Sequence, residues 1–211
     1  MKMPTKTYPS MLLIGALSAS SLSAAVVARF DLGDPQDLAV APVGEIQWAD
    51  VNSSNFDDPV SSNGVTLTIT GTLQGWRQRS FTADPGANYA VVRDFVFTDS
   101  ADTVTFTFAG LTANEEYFIN FWSFDTGGNA NSQATWSVAG GSSISGVHFT
   151  GSNAQQSPYL LTGTADGVGS LEMSVSGANW RLNGAEISVI PEPSTALLGG
   201  LGLLALLRRR R

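Results

Sequence analysis

Val65-Thr66-Leu67-Thr68-Ile69-Thr70 alternates apolar and threonine side chains without a fault, and Val104-Thr105-Phe106-Thr107-Phe108 repeats the pattern. A strand sends successive side chains to opposite faces, so a period of two collects the apolar groups on one face and the threonines on the other. Both stretches read as half-buried antiparallel strands. Tyr117-Phe118-Ile119-Asn120-Phe121-Trp122-Ser123-Phe124 is apolar on both faces and is expected as a central strand covered on each side. Further runs at 28–32, 47–51, 89–97, 134–138, 159–164, 171–175 and 182–189 bring the expectation to about ten strands, punctuated by Gly, Asn and Ser. No helical stripe of useful length lies between Val26 and Ile190, and no internal repeat argues for a propeller or solenoid. The expected fold class is all-β, an antiparallel β-sandwich or jelly roll.

The ends of the 211-residue chain differ from its middle: residues 11–25 and 195–207 carry no charge. Between Val26 and Ile190 stand 5 Arg, no Lys, 12 Asp and 5 Glu, a formal charge of −12 against −7 for the whole chain. An acidic middle excludes nucleic acid as a partner, because phosphate binding needs a basic stripe. A segment of this size forms one domain without a covalent staple. The absence of cysteine removes disulfide scaffolds and thiolate metal sites.

Lys2 and Lys6 precede an apolar run, 11–22, that ends in Ser23-Ala24-Ala25. This is the charged, greasy and small-residue order of a secretory signal peptide, expected as a helix in residues 1–25 and cleaved after Ala25. At the other end, Pro191-Glu192-Pro193 is followed by the apolar stretch 195–207 and by Arg208 to Arg211. As a helix that stretch is about 20 Å long, short of the roughly 30 Å hydrocarbon core, so it would span with snorkelling arginines and local thinning. The arginines favour a cytoplasmic tail, which leaves the domain outside.

The order Pro-Glu-Pro, short apolar helix, terminal arginine cluster resembles the PEP-CTERM sorting signal of Gram-negative bacteria. The resemblance covers residues 191–211. It implies export, transient residence in the inner membrane, processing near Pro191, Glu192 and Pro193 by an exosortase, and a final place at the cell surface or in extracellular matrix. The expected organisation is thus a signal peptide (1–25), a β-sandwich domain (26–190) and a sorting segment (191–211).

Within the domain, Arg93-Asp94-Phe95-Val96-Phe97, Phe106-Thr107-Phe108-Ala109-Gly110-Leu111, Glu116 to Trp122 and a closing Leu182-Asn183-Gly184-Ala185-Glu186-Ile187 resemble a galactose-binding-like jelly roll. Fibronectin-type sandwiches share the Leu111-Thr112 to Tyr117 turn, and in either sandwich that tyrosine packs at a sheet corner. Such folds imply glycan binding, and they hold a structural calcium near an acidic loop.

Catalytic constellations are scarce. The one histidine, His148 in a short edge strand, reads as an exposed or hydrogen-bonded structural side chain rather than a triad base, and one His without Cys does not supply the usual zinc ligand set. Most carboxylates (Asp57, Asp58, Asp84, Asp99, Asp102, Asp166) stand beside turn residues that Asp commonly caps. Asp94 and Glu186 fall within strands, with ion pairing to Arg93 or Arg181 as the plain alternative to a glycosidase pair. Asp31, Asp34 and Asp37 offer carboxylates at spacing three in a turn-rich loop, a candidate calcium site.

Sugar recognition calls for an aromatic platform flanked by polar groups. Trp76, Arg77 and Arg79, read as a loop following a strand, are the candidate glycan-binding patch, whereas Trp48, Trp122, Trp136 and Trp180 read as core. Asn52-Ser53-Ser54 is a chance sequon in a bacterial exported protein. The sequence therefore predicts a non-catalytic surface or matrix protein associating with extracellular polysaccharide. The competing class is a carboxylate-based polysaccharide hydrolase or lyase.

Overall fold

The computed structural model describes residues 24–33, 39–78, 89–125, 134–147 and 158–190. Residues 1–23 of the expected signal helix, the apolar C-terminal helix, the Pro191, Glu192 and Pro193 motif, and His148, Asp34, Asp37, Asp84 and Arg79 lie outside the described residues, while Ala25 is already strand. Among those described, no helix is long and apolar enough to cross a membrane.

The elements run β1 (Ala25–Gly33), β2 (Ala49–Asn52), β3 (Val60–Ser62), β4 (Val65–Thr70), β5 (Gly75–Gln78), α1 (Tyr89–Arg93), β6 (Asp94–Thr98) and β7 (Val104–Ala109). They continue with β8 (Glu116–Trp122), β9 (Ala134–Val138), β10 (Ser143–Val147), β11 (Tyr159–Thr164), β12 (Ser170–Ser176), β13 (Trp180–Leu182) and β14 (Gly184–Val189). The fold is all-β, as expected. A five-stranded sheet, β11-β8-β14-β1-β2, faces a six-stranded sheet, β10-β9-β12-β7-β4-β3, and a third sheet, β13-β6-β5, extends the core. Among the described residues every pairing is antiparallel except β1 with β2.

Period two carries the sandwich. In β9 and β12 the apolar positions are buried and the intervening threonine, serine or glutamate positions are half-buried or exposed; β4 and β7 follow the same pattern through Leu67 and Phe108, after which Ile69 is half-buried and Ala109 exposed. The two inner faces interlock through aromatics: Phe30 of β1 lies 5.8 Å from Phe108 of β7, and Phe121 of β8 lies 4.6 Å from Trp136 of β9, between ring centroids. Removing a ring of that kind would cost about 3–5 kcal/mol, because a close-packed interior refills a void only in part. The β3–β4 hairpin closes through Asn63-Gly64, whose φ angles of 49° and 85° are those of a type I′ turn that both residues tolerate.

Three departures from the expected strands have local causes. Residues 89–97 are not one strand: Val91 and Val92 are consecutive and both buried, which an alternating strand would place on opposite faces, and the chain instead makes the short α1 before β6. Both valines enter a second apolar cluster with Ala39, Trp122 and Phe124. Residues 182–189 divide at Asn183, where the chain leaves the β13 pairing with β6 for the β14 pairings with β1 and β8. The strands β3 and β5, absent from the expectation, and β10, expected only as the short edge strand around residues 146–149, all stand at sheet edges, where backbone pairing rather than a buried apolar face defines them.

The strand β8 is central, between β11 and β14, as expected. Of its outward side chains, however, Trp122 is buried, Phe118 and Asn120 are half-buried and Glu116 is exposed. Tyr117 is buried, and its Oη accepts a hydrogen bond from the Thr112 backbone N–H at 3.0 Å, closing the corner before β8.

Candidate functional site

That partly open outer face holds the candidate site. Leu160 of β11, Asn120 of β8, Glu186 of β14 and Arg29 of β1 are in register across four strands. Because facing residues of neighbouring strands share a side of the sheet, the four side chains form one transverse row. Arg29 Nε lies 2.8 Å from Glu186 Oε2, and Asn120 Nδ2 donates to Glu186 Oε1 at 3.3 Å.

A loop from Ala39 to Trp48 builds the wall above the row. Gln47 folds it, its Oε1 accepting from Ala41 N–H at 3.1 Å while its Nε2 donates to the Ala41 and Glu45 carbonyls, each at 3.2 Å. Arg29 fastens the loop to the sheet, donating from Nη1 to the Ile46 carbonyl at 2.8 Å and from Nη2 to Glu45 at 2.8 Å. Burial opposes the charge on Arg29, but hydrogen bonding and attraction from Glu186 and Glu45 outweigh it and raise the guanidinium pKa above its ordinary value.

Loop and sheet enclose a pocket of about 190 Å³, floored by Arg29, Asn120 and Glu186 and walled by Trp48, Trp122, Val40 and Pro158. Trp48 and Trp122 meet edge to face, 5.6 Å between centroids at 66°, and the Arg29 guanidinium carbon is 5.9 Å from the Trp48 ring centre. Trp48 is half-buried and stands just before β2, so part of its indole is accessible. An aromatic surface beside a carboxylate and an amide can pack against a C–H face and hydrogen-bond hydroxyls.

The sequence-expected residues lie elsewhere. Residues 75–78 are strand β5 rather than a loop, at the edge of the three-stranded sheet. Trp76 packs 5.7 Å from Phe56, and the Arg77 guanidinium sits 4.5 Å above the Phe97 ring, so neither contributes to the pocket. Asp31 is buried, with Oδ2 accepting the Ala39 N–H at 2.6 Å; among the described residues no group of three acidic or histidine side chains is placed to hold a metal. The calcium expectation otherwise rests on Asp34 and Asp37, outside them.

Among the strand carboxylates, Glu186 pairs with Arg29, not with Arg93 or Arg181. Asp94 is buried at the start of β6. Arg181 instead lies 3.2 Å from Asp125 and 3.1 Å from Asp99. Asp166 caps its turn as expected, accepting from Val168 and Ser170 N–H. The Asn52 side chain is buried, donating to Asp50 and accepting from Ser54, which leaves the sequon amide engaged.

Sequence reasoning missed Arg29 and Asn120 as site residues and read Trp48 and Trp122 as core; Trp122 is buried, whereas Trp48 is half-buried. A signal existed in part: Arg29 and Asn120 are polar residues inside largely apolar strands, at the same parity as Asp31 in β1 and Glu116 in β8.

Residues 189–211 match the PEP-CTERM protein-sorting motif, so the chain carries a sorting signal of exported bacterial proteins processed by exosortase. No curated protein matches the chain. Among solved structures, a carbohydrate-binding module from Cellvibrio mixtus lichenase 5A in complex with cellotriose is 18% identical, over 57% of this chain and 91% of that one, with a TM-score of 0.35. TmCBM61 in complex with beta-1,4-galactotriose is 16% identical, over 60% and 88%, with a TM-score of 0.36. The Macrobrachium rosenbergii nodavirus P-domain is 15% identical, over 61% and 94%, with a TM-score of 0.29. Likeness at these scores leaves the ligand to be inferred from the pocket.

Proposed function

We propose that the protein is a non-catalytic glycan-binding module, exported and held at the cell surface or in extracellular matrix, and that the pocket between the 39–48 loop and the five-stranded sheet is its binding site. The observation that carries this reading is the half-exposed Trp48 set against Trp122 above the Arg29, Glu186 and Asn120 row. Trp48 offers an apolar surface to a sugar ring, while Glu186 and Asn120 supply acceptor and donor to its hydroxyls. The ion pair holds these polar groups in place before any ligand arrives, which lowers the entropy cost of binding.

The same geometry favours binding over hydrolysis. A glycosidase needs one carboxyl able to donate a proton across the scissile bond from a second carboxylate. Here Glu186 and Glu45 are both bound to one guanidinium.

Full-length protein on a glycan array, with reducing-end release followed in parallel, tests the reading. The expected outcome is retention of a polysaccharide without turnover, weakened at least about tenfold in Trp48→Ala, as loss of a stacking platform implies. Turnover abolished by replacing Asp94 or Glu186 would establish the hydrolase or lyase class instead.

A further inference from the structure

We infer that the site selects non-acidic sugars and rejects uronate-bearing chains, an inference that rests on the glycan-binding reading above. Arg29 is the one cation among the residues described as lining the pocket. Each of its three nitrogens already donates: Nε to Glu186, Nη1 to the Ile46 carbonyl and Nη2 to Glu45. A ligand carboxylate binds arginine best through two parallel N–H bonds, and Glu186 and Glu45 compete for those donors.

Charge points the same way. Two carboxylates against one guanidinium leave a net negative wall, inside a segment, 26–190, that carries −12. At about 0.1 M salt the screening length is about 10 Å, so an acidic sugar at Glu186 would feel that wall. A hydroxyl has no such difficulty: it donates to Glu186 Oε1, which Asn120 holds only loosely at 3.3 Å, and accepts from the Asn120 amide.

The test compares full-length protein on a neutral glucan, on polygalacturonate of similar length and on chitosan oligomers, at low and high salt. Glu45→Gln is measured alongside; Glu45 is half-exposed, so the variant is expected to fold. The expected result is retention on the glucan or chitosan at least about tenfold stronger than on polygalacturonate at low salt, with the gap narrowing as salt rises. Glu45→Gln, which removes one negative charge and relaxes the claim on Nη2, is expected to raise the polygalacturonate-to-glucan ratio several-fold. Native protein that holds polygalacturonate as tightly as glucan would overturn the inference and leave glycan binding standing, as would a Glu45→Gln ratio that does not move. Retention on no polymer at all would overturn the glycan reading itself.

Discussion

Arg29 and Glu186 face each other across one rung of the β1–β14 ladder, Nε to Oε2 at 2.8 Å, with the guanidinium reaching on to the 39–48 loop. The pair therefore joins two neighbouring strands and a loop that no strand pairing would hold.

Arg29→Met leaves Glu186 largely buried without its cation. The expected loss is about 2–4 kcal/mol, since breaking such a pair strands a charge, and Arg29→Met combined with Glu186→Met should recover much of it. Urea unfolding of the single and double variants measures both, and a single-variant loss under about 0.5 kcal/mol would contradict the role assigned to the pair. The raised arginine pKa makes its charge persist: that contribution is complete below the unfolded-state arginine pKa and fades only as pH climbs through the still higher folded value.

Asn183 is fully buried and ties three segments together. Its Oδ1 accepts from Phe124 N–H at 2.6 Å, and its Nδ2 donates to the carbonyls of Asp94 at 2.7 Å and Val92 at 3.2 Å. Asn183→Ala leaves three buried backbone groups without this partner and should cost about 3 kcal/mol or more. Hydrogen exchange should show the loss at Phe124, where the donor is exposed to competition from water; unchanged protection there would count against the assignment.

Tyr117→Phe deletes one hydrogen bond and keeps the ring in the core. The Thr112 N–H loses its acceptor, so a destabilisation of about 1 kcal/mol is expected by thermal or urea unfolding. A loss of about 3 kcal/mol would mean that the hydroxyl does more than close the corner.

Gly141 and Gly167 make a matched pair, both free of positive φ. A Cβ on Gly141 would stand 2.2 Å from the Thr162 carbonyl oxygen, against the contact where Ser142 N–H donates to that same oxygen at 2.8 Å. Gly141→Ala must lift the β9–β10 turn off β11 and should cost more than about 2 kcal/mol, whereas Gly167→Ala meets open space and should lie within about 0.5 kcal/mol of the parent. Equal effects at the two positions would refute the close approach.

The strands that build the core were readable because burial enforces the alternation in 65–70, 104–108 and 134–138. The α1 turn and the break at Asn183 were not, since both answer to partners distant in sequence: Val91 and Val92 to Trp122, and Asn183 to Val92, Asp94 and Phe124. The pocket was least legible for the same reason. Its row exists only through register, which brings 29, 120, 160 and 186 together across four strands. Trp76 looked more prominent than Trp48 because two arginines follow it in sequence, yet those neighbours say nothing of the Phe56 ring packed 5.7 Å from it.

The β1–β14 ladder also begins where the described chain both enters and leaves, with Ala25 opposite Val189, three residues from the Glu186 rung. At about 3.4 Å per residue the row of Arg29, Glu186 and Asn120 lies about 10 Å from that exit. For a protein attached through the residues after β14, the strand bearing the tether is the strand bearing Glu186, bonded to β1 on one side and β8 on the other. Drag on a captured polymer and the hold of the anchor would meet in one strand. Tension between the two points would then run along the covalent backbone of β14, and the ladders to β1 and β8 need not carry it.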